Sequence, residues 1–564
     1  MIRTWISILV ICCLAGAVIG LTIEAPRAQI KTVGGEANGV WNLWSSGELG
    51  DYLDLAGAGQ YEVAVLAYGS PAGKVWPQMS ILVDGSTIES IDVASAKSKT
   101  YRFVVRLPKG PAKVVVTFDN DAVTGDEDRN LYLSKIKITA PKGVADPKII
   151  AKNKALAKEN AEAEQAERDA LKQAASNIEK NRKRDAVIHV VDAVGKSVPA
   201  ATVNIEHIRH DFLFGCNIYM FDRFGTPEEN AVYKQRFREL FNAATAGFYW
   251  ASYEPVKGEP RYAYTDSIVS WAIKHDIRLK GHPLLWDHRA GKPKWSGGRQ
   301  PPADVQKQRV FDIMQRYSGK IEFWEVVNEP AHLPKFKIDA PYRWAREADK
   351  NAYLIINDYY VMANGYHPFF KLLKGAIDDG LPFDGIGIQA HEPRTMRFPL
   401  DKCKIILDRY ATLGKELHIT EFTPTSGGAK ITGSHVNGVW DEAAQAEYAE
   451  KFFRICFAHE KVVALTWWDL CERGAWLNGG GLLHKDLRPK QVYTTLKKLI
   501  HEEWSTESAG KSNTTGKFAF RGFHGTYAVT VSAGGKTTET NLHLGKEGPS
   551  TFTVKLDRAL FQEF

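Results

Sequence analysis

Two short stretches decide the fold: residues 324–330 read WEVVNEP and residues 417–422 read LHITEF. Each is an apolar, β-branched run that closes on a glutamate, Glu329 in the first and Glu421 in the second. The C-terminal ends of parallel strands in a closed barrel meet at one mouth, whichever strands they are. Two carboxylates that are distant in sequence can therefore share a site if both runs are barrel strands.

Strand-like and helical stretches alternate between residues 213 and 505. The helical stretches, such as DVQKQRVFDIMQRY at 304–317, carry apolar residues every three or four positions. The strand-like runs are FGCNIY, FNAATA, IRLKGHPLLW, EFWEVVNE, YLIINDY, GIGIQAH, LHITEF and VVALTWWDL. This rhythm predicts a (β/α)8 TIM barrel at residues 213–505.

Strand-and-turn sequence lies on both sides of the barrel region. Residues 22–140 alternate polar and apolar positions in runs such as YEVAVLAY and YRFVVRL, which predicts an antiparallel β-sandwich. Residues 186–212 and 506–556 also read as strands and turns, but neither flank has enough strands to bury an apolar face. We therefore expect these flanks to be the two halves of one small β-sandwich, with the barrel inserted between them.

Residues 146–185 predict a helical linker. The segment is dominated by Ala, Glu and Lys, so its summed helix propensity is high. Its larger apolar residues, Ile149, Leu156, Leu171 and Ile178, are too irregularly spaced for a sustained coiled-coil seam. We expect a solvated spacer helix.

Composition limits the class of protein and its partners. A chain of 564 residues with 44% hydrophobic and 25% charged residues is typical of a multidomain globular protein. The net charge of +7 is spread along the chain, so no nucleic-acid partner is expected. Cys216, Cys403, Cys456 and Cys471 are too sparse for a disulfide scaffold, and we interpret them as small buried residues whose pairing stays open.

The first twenty residues, MIRTWISILVICCLAGAVIG, resemble a secretory signal peptide. Arg3 precedes an apolar stretch that ends in small residues. We expect residues 1–20 to be removed and the mature chain to have no transmembrane segment. The expected location is secreted, periplasmic or at the cell surface.

Paired glutamates at one barrel mouth suit the hydrolysis of a glycosidic bond. One carboxyl group protonates the departing oxygen, while the other attacks the anomeric carbon or activates water. From the spacing alone, Glu329 and Glu421 could equally be ordinary strand-end residues.

The neighbouring motifs favour the catalytic interpretation. With GHPLLW at 281–286 and GIGIQAH at 385–391, the two glutamate motifs resemble those of glycoside hydrolase family 10, the retaining endo-β-1,4-xylanase family, in the same order. The resemblance implies that Glu329 is the acid/base, that Glu421 is the nucleophile, and that catalysis uses no cofactor. It also implies a substrate-binding set of Asn328, His282, Trp286, Gln389, His391, Trp468 and Trp476. Trp467, next to Trp468, is expected in the core.

The sequence departs from the family pattern in the second βα loop, TAGFYWASYEP at 245–255. Thr245 and Ala246 stand where the family has Glu-Asn, and Tyr249 stands where it has lysine. Asp287 replaces the histidine that usually follows the motif tryptophan. These changes remove the usual polar contacts to the sugar in the −2 subsite, which puts a preference for plain xylan in doubt.

An acidic loop in the first sandwich predicts a calcium site. The stretch FDNDAVTGDEDRNLYLSKIKI at 118–138 contains Asp121, Asp126 and Asp128 around a glycine, and clustered oxygen ligands on a loop suit Ca²⁺. Together with IEAPRA at 23–28, it resembles the calcium-dependent xylan-binding modules. A solvated acidic turn is the alternative.

The sequence therefore predicts a secreted, modular, retaining glycoside hydrolase whose partner is xylan or a related β-glycan. One rival is a hydrolase of a different or heavily substituted β-glycan, which the altered second loop favours. The other is a glycan-binding protein without turnover, and the presence of both glutamates and Asn328 argues against it.

Overall fold

The computed structural model describes residues 20–150, 152–333, 337–391 and 396–556. The chain divides into two compact units, Met1–Ala163 and Glu164–Phe564. The predicted signal peptide lies, except for its last residue, outside the described residues.

The first unit is a β-sandwich, as predicted. In its described part, two six-stranded sheets enclose one apolar core, and the paired strands are antiparallel. Lys99–Leu107 shows why, since alternate side chains from Tyr101 to Leu107 are buried and those between them are exposed. One sheet contains Leu21–Glu24, Gly35–Ala37, Val40–Leu43, Gly59–Ser70, Lys99–Leu107 and Asn130–Thr139. The other contains Ile30–Lys31, Gly47–Leu55, Gln78–Val83, Ser86–Asp92, Gly110–Phe118 and Lys148–Ile149, and the acidic loop adds the pair Val123–Thr124 and Glu127–Asp128.

A long helix, Lys152–Arg182, follows the sandwich. From Glu164 onward it belongs to the second unit, where Ala170, Ala174 and Ile178 join the apolar core of the barrel. The expectation of a solvated spacer is therefore wrong for the second half of this helix. The buried positions repeat every four residues, as expected for one face of a helix. They are mostly alanines, so a pattern of large apolar residues does not reveal them.

The barrel of the second unit confirms the predicted fold class. In the described part of the chain, eight parallel strands form a sheet that closes where Arg278–His282 pairs with Phe323–Asn328. The strands in order are Leu213–Asn217, Ala243–Gly247, Arg278–His282, Phe323–Asn328, Tyr353–Asp358, Gly385–Ala390, Glu416–Phe422 and Val462–Trp467. A short extra strand, Leu285–Trp286, pairs with the fourth and directs Trp286 to the C-terminal mouth.

Helices separate the barrel strands. Asp441 is the N-cap of one of them, and its side chain accepts a hydrogen bond of 2.8 Å from the Ala444 amide. This bond satisfies one of the backbone N–H groups that have no partner within the first turn of a helix. The α-helices after Arg182 are Pro227–Arg238, Trp250–Tyr253, Tyr262–Lys274, Ala303–Tyr317, Asp339–Ala348, Val361–Asn364, His367–Asp378, Leu400–Ala411, Glu442–Ala458 and Gln491–Lys498. Shorter 3₁₀ turns are Ala25–Arg27, Arg289–Gly291 and Lys294–Ser296, and a π-helical turn covers Leu499–Glu503.

The two flanks of the barrel pair with each other. Lys183–Asp192 lies between Lys517–Phe523 and Thr551–Leu556, and Thr202–His210 lies between Glu507–Lys511 and Gly525–Ala533. Lys536–Leu544 completes the second sheet. The sheets share one core cluster that includes Ile188, Val203 and Val529. The sequence of the strand Glu507–Lys511, ESAGK, has low strand propensity, so pairing with Thr202–His210 and not local preference accounts for this strand.

Cys216, Cys403, Cys456 and Cys471 are buried, in agreement with their interpretation as small core residues. Among the described helices, none is both long and apolar enough to cross a membrane.

Candidate active site

Glu329 immediately follows the fourth barrel strand. Its backbone has a φ of 56°, a left-handed conformation that is uncommon for a residue other than glycine. Its amide donates a hydrogen bond of 2.9 Å to the Asn357 carbonyl oxygen on the fifth strand, and its own carbonyl oxygen accepts one of 2.8 Å from the Leu333 amide. These bonds fix the turn that directs the carboxyl group into the mouth.

Two side chains donate hydrogen bonds to the Glu329 carboxyl group. Trp286 Nε1 lies 2.9 Å from Oε2, and Gln389 Nε2 lies 3.1 Å from Oε1. Burial, together with the nearby charge of Glu421, nevertheless raises the pKa of Glu329 to about 7, although the two donors act to lower it. Glu329 can therefore hold a proton near neutral pH.

Glu421 lies within the seventh strand and is almost fully buried. Asn357 Nδ2 donates to its Oε1 at 3.1 Å, and His391 Nε2 lies 2.8 Å from its Oε2. His282 Nε2 lies 4.0 Å from Oε1. Hydrogen bonds to both oxygens fix the orientation of the carboxylate.

Behind Glu421 lies a buried ionic group formed by Lys280, His282 and Glu325. Lys280 Nζ lies 2.5 Å from Glu325 Oε1, and His282 Nδ1 bonds Glu325 Oε2. Burial alone would raise the pKa of Glu325, but Lys280 and His282 lower it below its usual value. Because Nδ1 faces Glu325, the other ring nitrogen of His282 is left to face Glu421.

Asn328 and Gln389 are fully within the site. Asn328 Oδ1 accepts hydrogen bonds from Asn357 Nδ2 at 3.0 Å and from Gln389 Nε2 at 3.4 Å. With its oxygen occupied, Asn328 can offer its amide N–H groups to a ligand.

Aromatic side chains form the walls. Trp468 is 5% exposed and packs edge-on against His282 and His391, with ring centroids 5.5 and 5.8 Å apart. Trp476 is 53% exposed, and its ring lies 4.5 Å from that of His391. Trp467 is buried and donates to the Gly480 carbonyl oxygen at 2.9 Å, as expected for a core residue.

The second βα loop contributes an aromatic wall, in line with the loss of polar residues that the sequence shows there. Thr245 and Ala246 are buried, so they present little to the cleft. Tyr249 packs against His282 and Trp286, with ring centroids 5.5 and 5.9 Å apart, and its hydroxyl lies 3.3 Å from that of Tyr219. Asp287 forms an ion pair with Lys292 at 2.8 Å.

The sequence analysis missed Asn357, which connects more of the site than any residue it chose. Asn357 donates to Glu421, Asn328 and Glu325 and accepts a 2.6 Å hydrogen bond from Thr420 Oγ1. It also missed Lys280 and Glu325. The detectable sign was the same in all three cases: a polar or charged residue inside a run that should be buried.

The acidic loop of the first unit fits the calcium prediction only in part. The pKa of Asp121 is raised by burial and by the charge of Asp128, so two carboxylates approach each other there. The two short strands pair Val123 with Asp128 and place Gly125 and Asp126 at the turn between them. Asp121, Asp126 and Asp128 do not form a three-residue cluster, because the described residues contain one such group within 4.8 Å, His282, Glu325 and Glu421. Asp121 and Asp128 lie close enough to interact and could therefore hold a cation together.

A (β/α)8 barrel whose mouth holds two differently bonded glutamates between aromatic walls defines the class of barrel glycosidases. Comparison with known protein families identifies which family of glycosidases the barrel resembles. Residues 206–499, just over half of the chain, match the model described as "Glycosyl hydrolase family 10". The chain belongs to glycosyl hydrolase family 10. Residues 62–149, within the first unit, match the model described as "Ca-dependent carbohydrate-binding module xylan-binding".

Curated relatives are similar over parts of their length. The chain is 27% identical over 399 residues to anti-sigma-I factor RsgI6 of Acetivibrio thermocellus, which covers 69% of this chain and 48% of that protein. It is 26% identical over 305 residues to endo-1,4-beta-xylanase B of Thermotoga neapolitana, covering 48% of this chain and 84% of that one. The chain thus spans about half the length of the first of these relatives.

Solved structures resemble the barrel region. Native xylanase 10B from Thermotoga maritima has 25% identity and a TM-score of 0.45, and covers 52% of this chain and 96% of that one. Xylanase 10B from Thermotoga petrophila, in complex with xylobiose, has 23% identity and a TM-score of 0.44, and covers 52% and 95%.

Proposed function

We propose that this chain hydrolyses β-1,4-xylan-type polysaccharide with retention of anomeric configuration, with Glu329 as acid/base and Glu421 as nucleophile. The observation that carries the proposal is the unequal bonding of the two glutamates. Glu329 has a pKa of about 7 and can deliver a proton, whereas Glu421 is held by Asn357 and His391 in one orientation. This division of roles is what double displacement requires.

In the first step, Glu421 attacks the anomeric carbon while Glu329 protonates the departing glycosidic oxygen. A covalent glycosyl–Glu421 ester forms, and the C–O bond to the leaving sugar breaks. In the second step, Glu329, now a carboxylate, takes a proton from water as the water attacks the same carbon and releases Glu421. Trp286 and Gln389 stabilise the Glu329 carboxylate between the steps by donating hydrogen bonds to it.

The remaining site residues bind the sugar in the −1 subsite. The amide group of Asn328 is available to the 2-hydroxyl group, whose hydrogen bonds strengthen at the transition state. Trp468 and Trp476 present aromatic surface to the C–H faces of the sugars.

A reducing-sugar assay on a panel of β-glycans tests the proposal, with Glu421→Gln as the inactive control. We expect release from xylan by the native chain alone, and NMR of the fresh product should show the β-anomer first. Release from no glycan would favour the rival, a glycan-binding protein without turnover. An α-anomer as first product would contradict the retaining mechanism.

A second candidate, hydrolysis of a substituted β-glycan, is favoured by the wall that Tyr219 and Tyr249 form. With Thr245 and Ala246 buried, this wall offers two phenol hydroxyls and aromatic surface in place of the charged and amide groups of the family pattern. Comparison of acetylated with deacetylated xylan in the same assay separates the candidates. A higher kcat/KM on the acetylated polymer would favour the substituted substrate.

We propose further that the first unit binds xylan with Ca²⁺ held by Asp121 and Asp128, and that the chain is secreted under the direction of its first twenty residues. The match to the calcium-dependent module supports the binding role. Affinity electrophoresis of the full chain in gels containing xylan tests this binding. The Glu421→Gln variant is used so that the xylan in the gel is not hydrolysed. We expect retardation that a chelator abolishes and that Asp128→Ala weakens, whereas equal mobility in gels with and without xylan would contradict it.

A further inference from the structure

Asp469 is a buried carboxylate that the proposed mechanism does not use. It directly follows Trp468 at the end of the eighth barrel strand and is 7% exposed. Its Oδ1 accepts a 3.1 Å hydrogen bond from Asn217 Nδ2, at the end of the first strand. Its Oδ2 accepts one of 2.9 Å from the backbone N–H of Trp476. Asp469 therefore connects one wall of the mouth to the loop that carries the exposed tryptophan.

The two tryptophans of the site differ in how they are held. Trp468 is buried among His282, His391 and Tyr219, and its amide donates to the Phe422 carbonyl oxygen at 3.0 Å. Trp476 is half exposed, on a loop whose return is anchored by Glu472, which accepts from the Gly479 and Gly481 amides at 3.1 and 3.0 Å. Packing can position Trp468, whereas the more exposed Trp476 is held by its contact with the His391 ring and by the bond from its backbone amide to Asp469.

We infer that Asp469, oriented by Asn217, is a positioning residue that fixes Trp476 for glycan binding. The inference rests on the proposed function, because it assigns Trp476 to the glycan cleft. A carboxylate suits this task because it accepts hydrogen bonds at both oxygens, and bonds to an ionised acceptor are stronger than neutral ones. The charged and titratable groups that interact electrostatically with Asp469 include His391, Glu472, Cys216, Cys471 and Tyr233.

The geometry predicts the outcome of exchanging the two side chains. Asn217→Asp would place two carboxylates opposite each other and break the bond between them. In the double variant Asn217→Asp/Asp469→Asn, the new amide at 469 donates to the new carboxylate at 217. Its oxygen still accepts from the Trp476 amide. The swap should therefore restore what the single Asn217→Asp change removes.

Hydrogen–deuterium exchange of the full chain measures the inference without any turnover. In Asp469→Ala and Asn217→Asp, the peptide that contains residues 472–480 should exchange about tenfold faster. The Trp476 amide loses its acceptor in the first variant, and in the second that acceptor loses the bond that orients it. The double swap should return exchange to within about twofold of the native rate. Native exchange in Asp469→Ala would overturn the inference, as would a folded double swap that exchanges as fast as Asn217→Asp.

Kinetics on xylo-oligosaccharides supply a second measurement, a double-mutant cycle of Asp469→Ala and Trp476→Ala. We expect each variant to raise KM by about tenfold with a smaller change in kcat, and the pair to cost little more than either one, because both remove the same contact. Fully additive effects would overturn the inference. If the native chain hydrolyses no glycan, the proposed function fails while the exchange experiment still decides the role of Asp469.

Discussion

Glu329 and Glu421 share one barrel mouth but sit in different surroundings. Glu329 lies on a strained turn just beyond its strand, where an indole and an amide donate to it and burial raises its pKa to about 7. Glu421 lies inside its strand, buried, with Asn357 and His391 bonded to its two oxygens and a Lys–Glu–His group behind it. The difference shows how two identical side chains acquire opposite roles from where the backbone places them.

Replacement of Glu421 should have the largest effect. Glu421→Ala removes the group that forms the covalent intermediate, so kcat on xylan and on activated aryl glycosides should both fall by at least about 10⁴-fold. Glu416→Ala is the matched control, because Glu416 is an exposed glutamate at the opposite end of the same strand. Activity within tenfold of native in Glu421→Ala would contradict the assignment.

Glu329→Ala should separate the two roles. Without the acid, kcat on xylan should fall by about 10²–10⁴-fold, whereas substrates with good leaving groups should lose much less in the glycosylation step. Parallel assays on xylan and on a dinitrophenyl glycoside measure this contrast, and Glu322→Ala at the start of the fourth-strand segment is the control. An equal loss on both substrates would count against Glu329 as acid.

Asn357→Ala should disturb the positions of Glu421 and Asn328 together. The substitution removes donors to Glu421 and Asn328 and leaves the Thr420 hydroxyl without its acceptor, all in buried surroundings. We expect kcat/KM to fall by about 10–10³-fold, and the melting temperature to fall as well. The exposed Asn437→Ala serves as control. Unchanged kinetics would show that Glu421 is oriented without this residue.

The pH profile should show the raised pKa of Glu329. Because the acid acts protonated, kcat/KM on xylan should fall as the pH rises through about 7.

The same pKa shift affects the stability of the fold. A carboxyl group whose pKa is raised on folding stabilises the fold fully below its unfolded pKa, and this contribution is lost as the pH rises through about 7. Thermal melts of the native chain and Glu329→Gln at several pH values measure it. If the melting temperature of the native chain fell no more steeply than that of Glu329→Gln between pH 5 and about 8, this contribution of Glu329 to stability would be contradicted.

Trp286→Phe should give the smallest effect. The indole N–H lowers the pKa of Glu329, so its removal should move the basic limb of the profile upward by about half a unit to one unit. Trp295→Phe is the matched control, because the buried Trp295 indole N–H has no hydrogen-bond partner in the part of the chain that the structure describes. A limb that stays in place, or moves down, would show that Trp286 acts by packing rather than by donation.

The sequence predicts the barrel well because each strand is an apolar run with its own boundary, and it predicts the positions of the two glutamates for the same reason. It does not predict the role of Asn357, because the bonds from this residue reach Glu325, Asn328 and Glu421 on two other strands. The sequence also does not predict that the second half of the long helix is buried, because Ala170 and Ala174 are apolar without being large. Contacts between distant segments, and burial achieved by small residues, leave little trace in local sequence patterns.

The small sandwich, whose two halves flank the barrel in sequence, cannot be completed until the barrel has been made. Its strands Lys183–Asp192 and Thr202–His210 are synthesised before the barrel, and the first of their partner strands, Glu507–Lys511, follows after roughly 300 residues, or about 15–60 s of translation. Throughout that interval the apolar side chains of Ile188, Val190, Val203 and Ile205, which end in a closed core, have no covering sheet. Thr551–Leu556 pairs in parallel with Lys183–Asp192, so this strand gains its second neighbour later still. The nascent chain therefore carries two apolar strands without their partners until residues 507–556 have been made, and pairing with those residues ends their exposure to aggregation.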